Sequence, residues 1–575
     1  MNESVPPRSS APATDARRAF ERAVRLHTDG DTEAAIHAYR AILKERPGAV
    51  ACWANLGAAL HKLGRRDEAL GVLREGARRC PESADLNHRL GNALAEAGDH
   101  EGALERQRAT LARHPQHLDA ALAGGQALLR MERFEPAVDH LQAALGRHPD
   151  NVPLYNALGW ALWKLQRPEP AAAAWRRALA IGGAPAVCHQ NLHLALSRLG
   201  RYAEDERQLR DAVARHGDAP GLLAALGQTL ISQGRLQPGL EHCDAALAID
   251  ADHVNARFGR ARANFLAGRY AAAWPDYQRR REHHMWRGMR VTGRAWEGED
   301  LDGRSLLLYG EQGLGDVIQF ARYAPWLAQR GARVVLYCPA PLAGLLRRLP
   351  DVAEVVPGDR PCPAADWTCS LLDVPGVLGA ELDSIPSACP YLPLHTPTRP
   401  LLPPTRQFRI GIAWAGSPAH PQDRQRSCRL ADFAPLLDLP GAEWVSFQVG
   451  PRANELRRSG WRGLIREAGD AVTPFEATAD ALAEVDLVIT VDTALAHLAG
   501  ALGRPVWTLL AFAPDWRWLL GRVDTPWYPT MRLFRQPAPN DWAGAFRAVR
   551  RALADRLARP QPSLGQSSPP VSDGG

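Results

Sequence analysis

The chain has 575 residues, more than one hydrophobic core organises, since domains run to about 250 residues. Its 69 basic and 63 acidic residues are interspersed and leave a formal charge of +6. Nothing in that balance demands a polyanion as partner, so neither nucleic acid nor an anionic membrane surface is expected. The opening stretch MNESVPPRSSAPATDARR has no apolar leader core, and no run reaches the roughly 18 apolar residues of a membrane span. A cytoplasmic protein without a transmembrane segment is expected. Nine cysteines without a C-x-x-C pair argue against a zinc site and a disulfide framework, so no metal ligand is assigned. Lysine occurs only at Lys44, Lys62 and Lys164. Any cation serving the later two thirds of the chain must therefore be arginine or histidine.

Residues 1–15 and 560–575 are polar and proline-rich, and both are expected to be disordered. Between them the first half is periodic. Pro47, Pro81, Pro115 and Pro149 are 34 residues apart, as are Gly57, Gly91, Gly125 and Gly159, and Ala35, Ala69, Ala103, Ala137 and Ala171. Each period reads as a helix, a short turn, a second helix and a proline that ends it, with small residues where two backbones approach. The pattern resembles the tetratricopeptide repeat, with Trp53, Leu56, Gly57, Ala69 and Pro81 at that repeat's set positions. The resemblance covers about residues 16–283 and implies about eight units. The sixth, with His193 at the glycine position, is degenerate and its helix pair is expected to be distorted. Stacked helix pairs present a concave surface whose ordinary use is to hold a peptide or partner protein.

Residues 284–304 form a polar connector. Within it Asp300 and Asp302 make a D-x-D that reads as turn chemistry because it precedes a strand, and His283–His284 at its edge point in different directions and make a poor metal pair. From Ser305 short apolar runs alternate with helices, the mark of parallel sheets. The first series predicts strands at 306–309, 333–337 and 352–356 with helices at about 317–329 and 342–349. After the proline-rich stretch 390–404, a second series predicts strands at 409–414, 443–448, 486–491 and 505–510. The expected architecture is an α-solenoid of repeats followed by two Rossmann-like domains, 305–400 and 405–559, in the arrangement called GT-B.

Two segments carry candidate chemistry. In LLLYGEQGLGD a strand runs into a glycine-rich turn that ends on Asp316 at a helix start, and in VITVDTALAHLAGALG Asp492 closes a strand before a helix starting at about Thr493. Ligands in open α/β sheets bind at the carboxyl ends of strands, so both aspartates are expected to face a cleft. The turn lacks the lysine of a Walker loop. Gly313–Asp316 and the D-T-x-x-x-H-x-A of Asp492–Ala499 resemble glycosyltransferase family 9, which includes the heptosyltransferases. Repeats followed by GT-B also resemble, in layout, the O-linked N-acetylglucosamine transferases.

The family 9 resemblance implies Asp316 as base for an acceptor hydroxyl and the Asp492 segment as holder of a nucleotide-diphosphate sugar, the co-substrate, with no further cofactor. Physically, Asp316 is a base or a helix cap, and its helix start is expected to lower its pKa and keep it ionised. The N–H groups of Thr493 and Ala494 suit a phosphate, and His497, one turn on, donates to it as imidazolium or neutral ring. Gly416 and Ser417, with Arg424 and Arg426 nearby, can admit the diphosphate. Trp516, Trp518 and Trp527 either stack on a sugar or base or pack against the first domain. The chain departs from the family in having no lysine near Gly416 and alanine at 494, so the donor stays open among hexosyl, heptosyl and N-acetylglucosaminyl.

The resulting expectation is an inverting, metal-independent glycosyltransferase whose acceptor is a polypeptide recruited by the repeats, or a glycan. The other reading is a non-catalytic repeat scaffold with a degenerate or nucleotide-sensing transferase-like domain.

Overall fold

In the computed structural model, which describes residues 11–282, 291–395, 400–468 and 474–558, the 34-residue period becomes sixteen helices in eight pairs, from Ala11–Thr28 to Tyr270–Gln278. The glycine ladder has a single cause. A Cβ on Gly57 would lie 2.8 Å from Leu73, on Gly91 2.5 Å from Gln107, on Gly125 2.5 Å from Leu141, and on Gly159 2.3 Å from Trp175. Each of these neighbours stands sixteen positions on, in the second helix of the same pair. The period is thus a packing rule, one missing side chain per unit filled by one side chain from the facing helix. Ser83 and Asn151 begin their helices by accepting from the N–H of Leu86 at 3.3 Å and Leu154 at 2.9 Å.

The chain divides into two compact units, residues 1–195 and 196–575. The division falls inside the Ala186–Arg198 helix, in the sixth pair. That pair was expected to be distorted, yet Ala186–Arg198 and Tyr202–His216 are both regular helices. Its departure from the pattern is instead that a buried His193 stands where the other pairs have a small residue. All three lysines lie in the first unit. Lys44 is in the last turn of Thr32–Glu45, and Lys62 and Lys164 end Val50–Lys62 and Val152–Lys164, where a cation meets the negative end of the helix dipole. The first helix starts at Ala11, so residues 11–15, expected to be disordered, are helical, as the alanines among 11–19 favour; residues 1–10 lie outside the described residues. His283, His284 and the 560–575 tail lie outside the described residues.

In the second unit, Asp300 Oδ1 accepts from the Asp302 N–H at 3.3 Å, the turn expected of that D-x-D. Two parallel sheets follow. The first holds β1 (Ser305–Tyr309), β2 (Arg333–Cys338), β3 (Glu354–Pro357) and β4 (Trp367–Ser370) in the order β3-β2-β1-β4. The second holds β5 (Phe408–Ala413), β6 (Ala442–Ser446), β7 (Ile465–Glu467), β8 (Leu487–Val491), β9 (Val506–Leu510) and β10 (Met531–Arg535) in the order β10-β9-β8-β5-β6-β7. β4, β7 and β10 were not foreseen, and all three are sheet edges. The helix expected over 317–329 is two helices, Leu314–Phe320 and Tyr323–Ala328, and the one over 342–349 is a single 3₁₀ turn and the short Ala343–Leu346.

The topology decides where a ligand can go. The chain builds outward from β1 to β3 and then returns to lay β4 on the other side of β1; likewise it runs outward from β5 to β7 and returns with β8 beside β5. Each reversal opens a crevice at the carboxyl ends of the strands involved. The glycine turn after β1, the loop after β5 and Asp492 after β8 all stand at these two crevices. The stretch between the sheets is held to the Leu314–Phe320 and Ala494–Ala501 helices. Tyr391 donates its hydroxyl to the Ile318 carbonyl at 2.9 Å, and the N–H groups of Tyr391 and Leu392 donate to Ala501. Among the described residues no helix is long and apolar enough to cross a membrane.

Candidate active site

The two helix starts meet. A Cβ on Gly315 would lie 2.8 Å from His497 Cδ2 and 3.4 Å from Ala494 Cα, so the Leu314–Phe320 helix can approach the Ala494–Ala501 helix only because that residue has no side chain. Asp316, Asp492, Thr493, Ala494 and His497, predicted from two segments far apart in sequence, are thereby gathered at one place.

Asp316 is held at both oxygens. One accepts the Gly313 N–H at 2.9 Å, the cap interaction, and the other is paired with Arg517 at 2.6 Å. Arg517 is buried, and it also donates to Asp515 at 2.8 Å and, through Nε, to Gln319 at 2.8 Å. Its guanidinium lies 4.5 Å from the Trp516 ring centre. Burial raises the Asp316 carboxyl above its ordinary value, with Arg517 pulling the other way. The expected lowering is thus corrected: a short helix start contributes less than the loss of water around the carboxylate. Burial works against Asp515 as well, but its two contacts with Arg517 leave it below the ordinary range.

Asp492 accepts the Trp518 indole N–H at 2.8 Å and is 3.9 Å from His497 Nε2. Burial, reinforced by the charge of Asp515, pushes it up to about 6. His497 is buried beneath Trp518, with ring centres 5.4 Å apart, and its Nδ1 is 3.0 Å from the Tyr528 hydroxyl. Burial and the nearby Arg517 push its pKa down to about 3, so of the two forms expected for it only the neutral ring survives near neutrality. The Thr493 hydroxyl is 3.3 Å from that of Thr490 and makes no cap bond, and the first N–H groups of the helix it precedes have no acceptor within that helix.

The loop after β5 reaches the same place through Arg426, which donates to the Asp492 carbonyl at 3.2 Å. A Cβ on Gly416 would lie 2.5 Å from its Nη2, so Gly416 makes room for that guanidinium. Buried Gln448 fixes the loop by accepting from the N–H groups of Trp414 and Ala415 at 3.0 and 2.9 Å. Ser417 is exposed, with its hydroxyl turned to the Ala419 N–H at 3.4 Å. Arg424 is exposed, and burial together with the charge of Arg424 lowers the pKa of Arg198. The structure therefore brings in Arg426 and leaves Arg424 outside, because residues two apart in a helical turn point to different sides.

Trp516, Trp518 and Trp527 are all buried. Trp516 and Trp527 pack in an aromatic cluster that reaches Phe320 of the first Rossmann-like domain, and the face of Trp518 is taken by His497. Packing, one of the two alternatives, is what the structure holds. Sequence reasoning passed over Arg517, Asp515 and Gln448. Arg517 stood inside an arginine-rich aromatic segment, and only its approach to Asp316 distinguishes it. Among the described residues no group of three or more metal-ligating side chains occurs. A cavity of about 670 Å³ lies elsewhere, at β10, with Trp507, Arg532 and Arg535 among its lining residues.

Comparison with known proteins finds matches to two families. The tetratricopeptide repeat family matches residues 26–88, 88–152 and 122–185, and glycosyltransferase family 9 (heptosyltransferase) matches residues 471–527. The latter match takes in Asp492, His497 and Arg517 and does not reach Asp316. Protein FlbA of Caulobacter vibrioides is 26% identical over 357 residues, 56% of this chain, and the chain spans only 59% of that relative's length. Among solved structures, a tetratricopeptide repeat protein from Parabacteroides merdae covers 43% of this chain and 98% of its own, at 13% identity and a TM-score of 0.34. YrrB, described as a repeat protein with an unusual peptide-binding site, covers 33% and 97% at 21% identity and a TM-score of 0.29. MamA covers 29% and 91% at 21% identity and a TM-score of 0.28. The chain is a tetratricopeptide-repeat solenoid followed by an α/β region of two parallel sheets, one segment of which matches glycosyltransferase family 9. Glycosyl transfer and protein binding are the function classes these matches indicate.

Proposed function

We propose that this chain is an inverting, metal-independent glycosyltransferase of the cytoplasm that takes a nucleotide-diphosphate sugar and glycosylates a polypeptide held by the repeats. The observation that carries the reading is the meeting of Asp316 and the start of the Ala494–Ala501 helix across Gly315. A sugar transfer needs a base on one side of the anomeric carbon and a sink for the diphosphate on the other. Asp316 takes the proton of the acceptor hydroxyl, and burial gives its carboxyl a basicity above the ordinary one. The hydroxyl oxygen bonds to the anomeric carbon as the bond from that carbon to the diphosphate oxygen breaks, inverting the centre. The N–H groups of Thr493 and Ala494 and the neutral ring N–H of His497 donate to the departing diphosphate, and Arg426, beside Gly416 and Ser417, supplies the cation that lysine does not. Asp492 orients the donor sugar.

Asp316→Asn tests this. Turnover is expected to fall by about 100-fold or more, the ordinary worth of a general base, while binding of the nucleotide sugar by isothermal titration stays within a few-fold. Unchanged turnover removes Asp316 from the mechanism. Titration with ADP, UDP and GDP sugars names the base of the donor. One observation favours the scaffold reading: the 2.6 Å pair with Arg517 makes Asp316 a weaker base than a free buried carboxylate. A folded chain that binds none of these donors supports that reading instead.

A further inference from the structure

The eighth helix pair, Val254–Leu266 and Tyr270–Gln278 with the 3₁₀ turn Arg279–Glu282, is built differently from a partner-binding repeat. It touches both groups that meet at Asp316. On one side fully buried Arg280 donates to Asp373 at 2.7 Å and to Glu311, the residue after Gly310 in the glycine turn. Ser370 donates to the same carboxylate. The next turn residue, Gln312, has φ +63° and donates to the Tyr277 hydroxyl at 3.3 Å. A non-glycine residue in that left-handed conformation costs of order 1 kcal/mol or more and persists only where its surroundings hold it. On the other side Phe265 stacks on Trp516, ring centres 4.1 Å apart and planes 22° apart, and Arg262 reaches the Pro514 carbonyl at 3.5 Å. Trp516 is the residue before Arg517. Leu519, just beyond, has φ +54°.

A guanidinium removed from water and shared between two carboxylates is a poor source of stability, since the cost of desolvation offsets most of the attraction. What it supplies is geometry, because a planar fork accepts few arrangements. Here that geometry is imposed on the turn that carries Asp316. The stack on Trp516 does the same for the segment that carries Arg517.

We propose that the eighth helix pair belongs to the transfer site, with Arg280 and Phe265 as positioning residues that set the distance between Asp316 and Arg517. This rests on the transferase reading above. The test uses the full chain and measures transfer across pH for Arg280→Met, Arg280→Lys and Phe265→Leu. If Arg280 positions the base, Arg280→Met lowers kcat by about 100-fold, the effect of a misplacement of about 1 Å, while KM for the nucleotide sugar stays within threefold. In Phe265→Leu the guanidinium of Arg517 is held less closely, Asp316 loses part of its attraction, and the acid limb of the kcat profile moves to higher pH. Arg280→Lys, which keeps the charge and loses the fork, recovers part of the lost kcat. Folded Met and Leu variants with wild-type kcat and an unmoved acid limb overturn the proposal. Should Arg280→Met fail to fold, Phe265→Leu, close in volume, decides it alone. A wild-type chain inactive with every donor removes the transferase reading and this one together, whereas an active wild type with unaffected variants removes only this one.

Discussion

Glycine does opposite work in the repeats and at the candidate site. In the first, Gly57, Gly125 and Gly159 leave gaps that Leu73, Leu141 and Trp175 fill, so the missing side chain is replaced by hydrocarbon or indole and the product is a packed helix pair. In the second, Gly315 and Gly416 leave gaps filled by His497 and Arg426, and the product is a cluster of polar groups beside two carboxylates. The same omission gives stability in one place and a site in the other, and the difference lies in the residue that comes to meet it.

That contrast can be broken. Gly315→Ala places a methyl group 2.8 Å from the His497 ring and must part the two helix starts. Transfer is expected to fall by about 100-fold with little change in the thermal unfolding midpoint of the chain; a variant with wild-type turnover would dissolve the distinction. Gly159→Ala is the reciprocal case. Its Cβ would lie 2.3 Å from the indole nitrogen of fully buried Trp175, which has no room to give way. Overpacking of this kind costs about 1–3 kcal/mol, so a lowered unfolding midpoint with unchanged donor binding is expected, read by calorimetry and titration on one sample.

The smallest effect is one of pH. Asp492, at about 6, is ionised at pH 8 and largely protonated at pH 5. A nucleotide sugar keeps its diphosphate charge over that range, so binding tightens as pH falls, once the carboxylate no longer repels it. His497, at about 3, stays neutral throughout and does not contribute. A few-fold tightening that vanishes in Asp492→Asn is expected, and an identical slope in both proteins would place Asp492 away from the donor.

The repeats were legible in the sequence because every rung of the ladder is a local packing demand made again after 34 residues. Asp316, Asp492 and His497 were legible because strand ends that run into helix starts are where α/β sheets put ligands. Arg517 was not, since its meaning comes from contacts with Asp316 and Gln319, about 200 residues upstream. Arg424 and Arg426 were indistinguishable until a one-turn helix, Asp423–Arg426, gave them different directions. The edge strands were missed for a related reason. β10 reads Met-Arg-Leu-Phe-Arg, with a charge exposed at its second position, and four-residue β4 offers too short a run to outweigh the proline-rich loops around it.

The placement of the three lysines at helix ends of the first unit has a chemical corollary. Acetylation, ubiquitin attachment and amine-directed labels act on lysine side chains, so between residue 165 and residue 575 they find no acceptor. A dye or resin coupled through lysine attaches the molecule by its repeats and leaves the glycine turn, Asp492 and the arginines around them untouched.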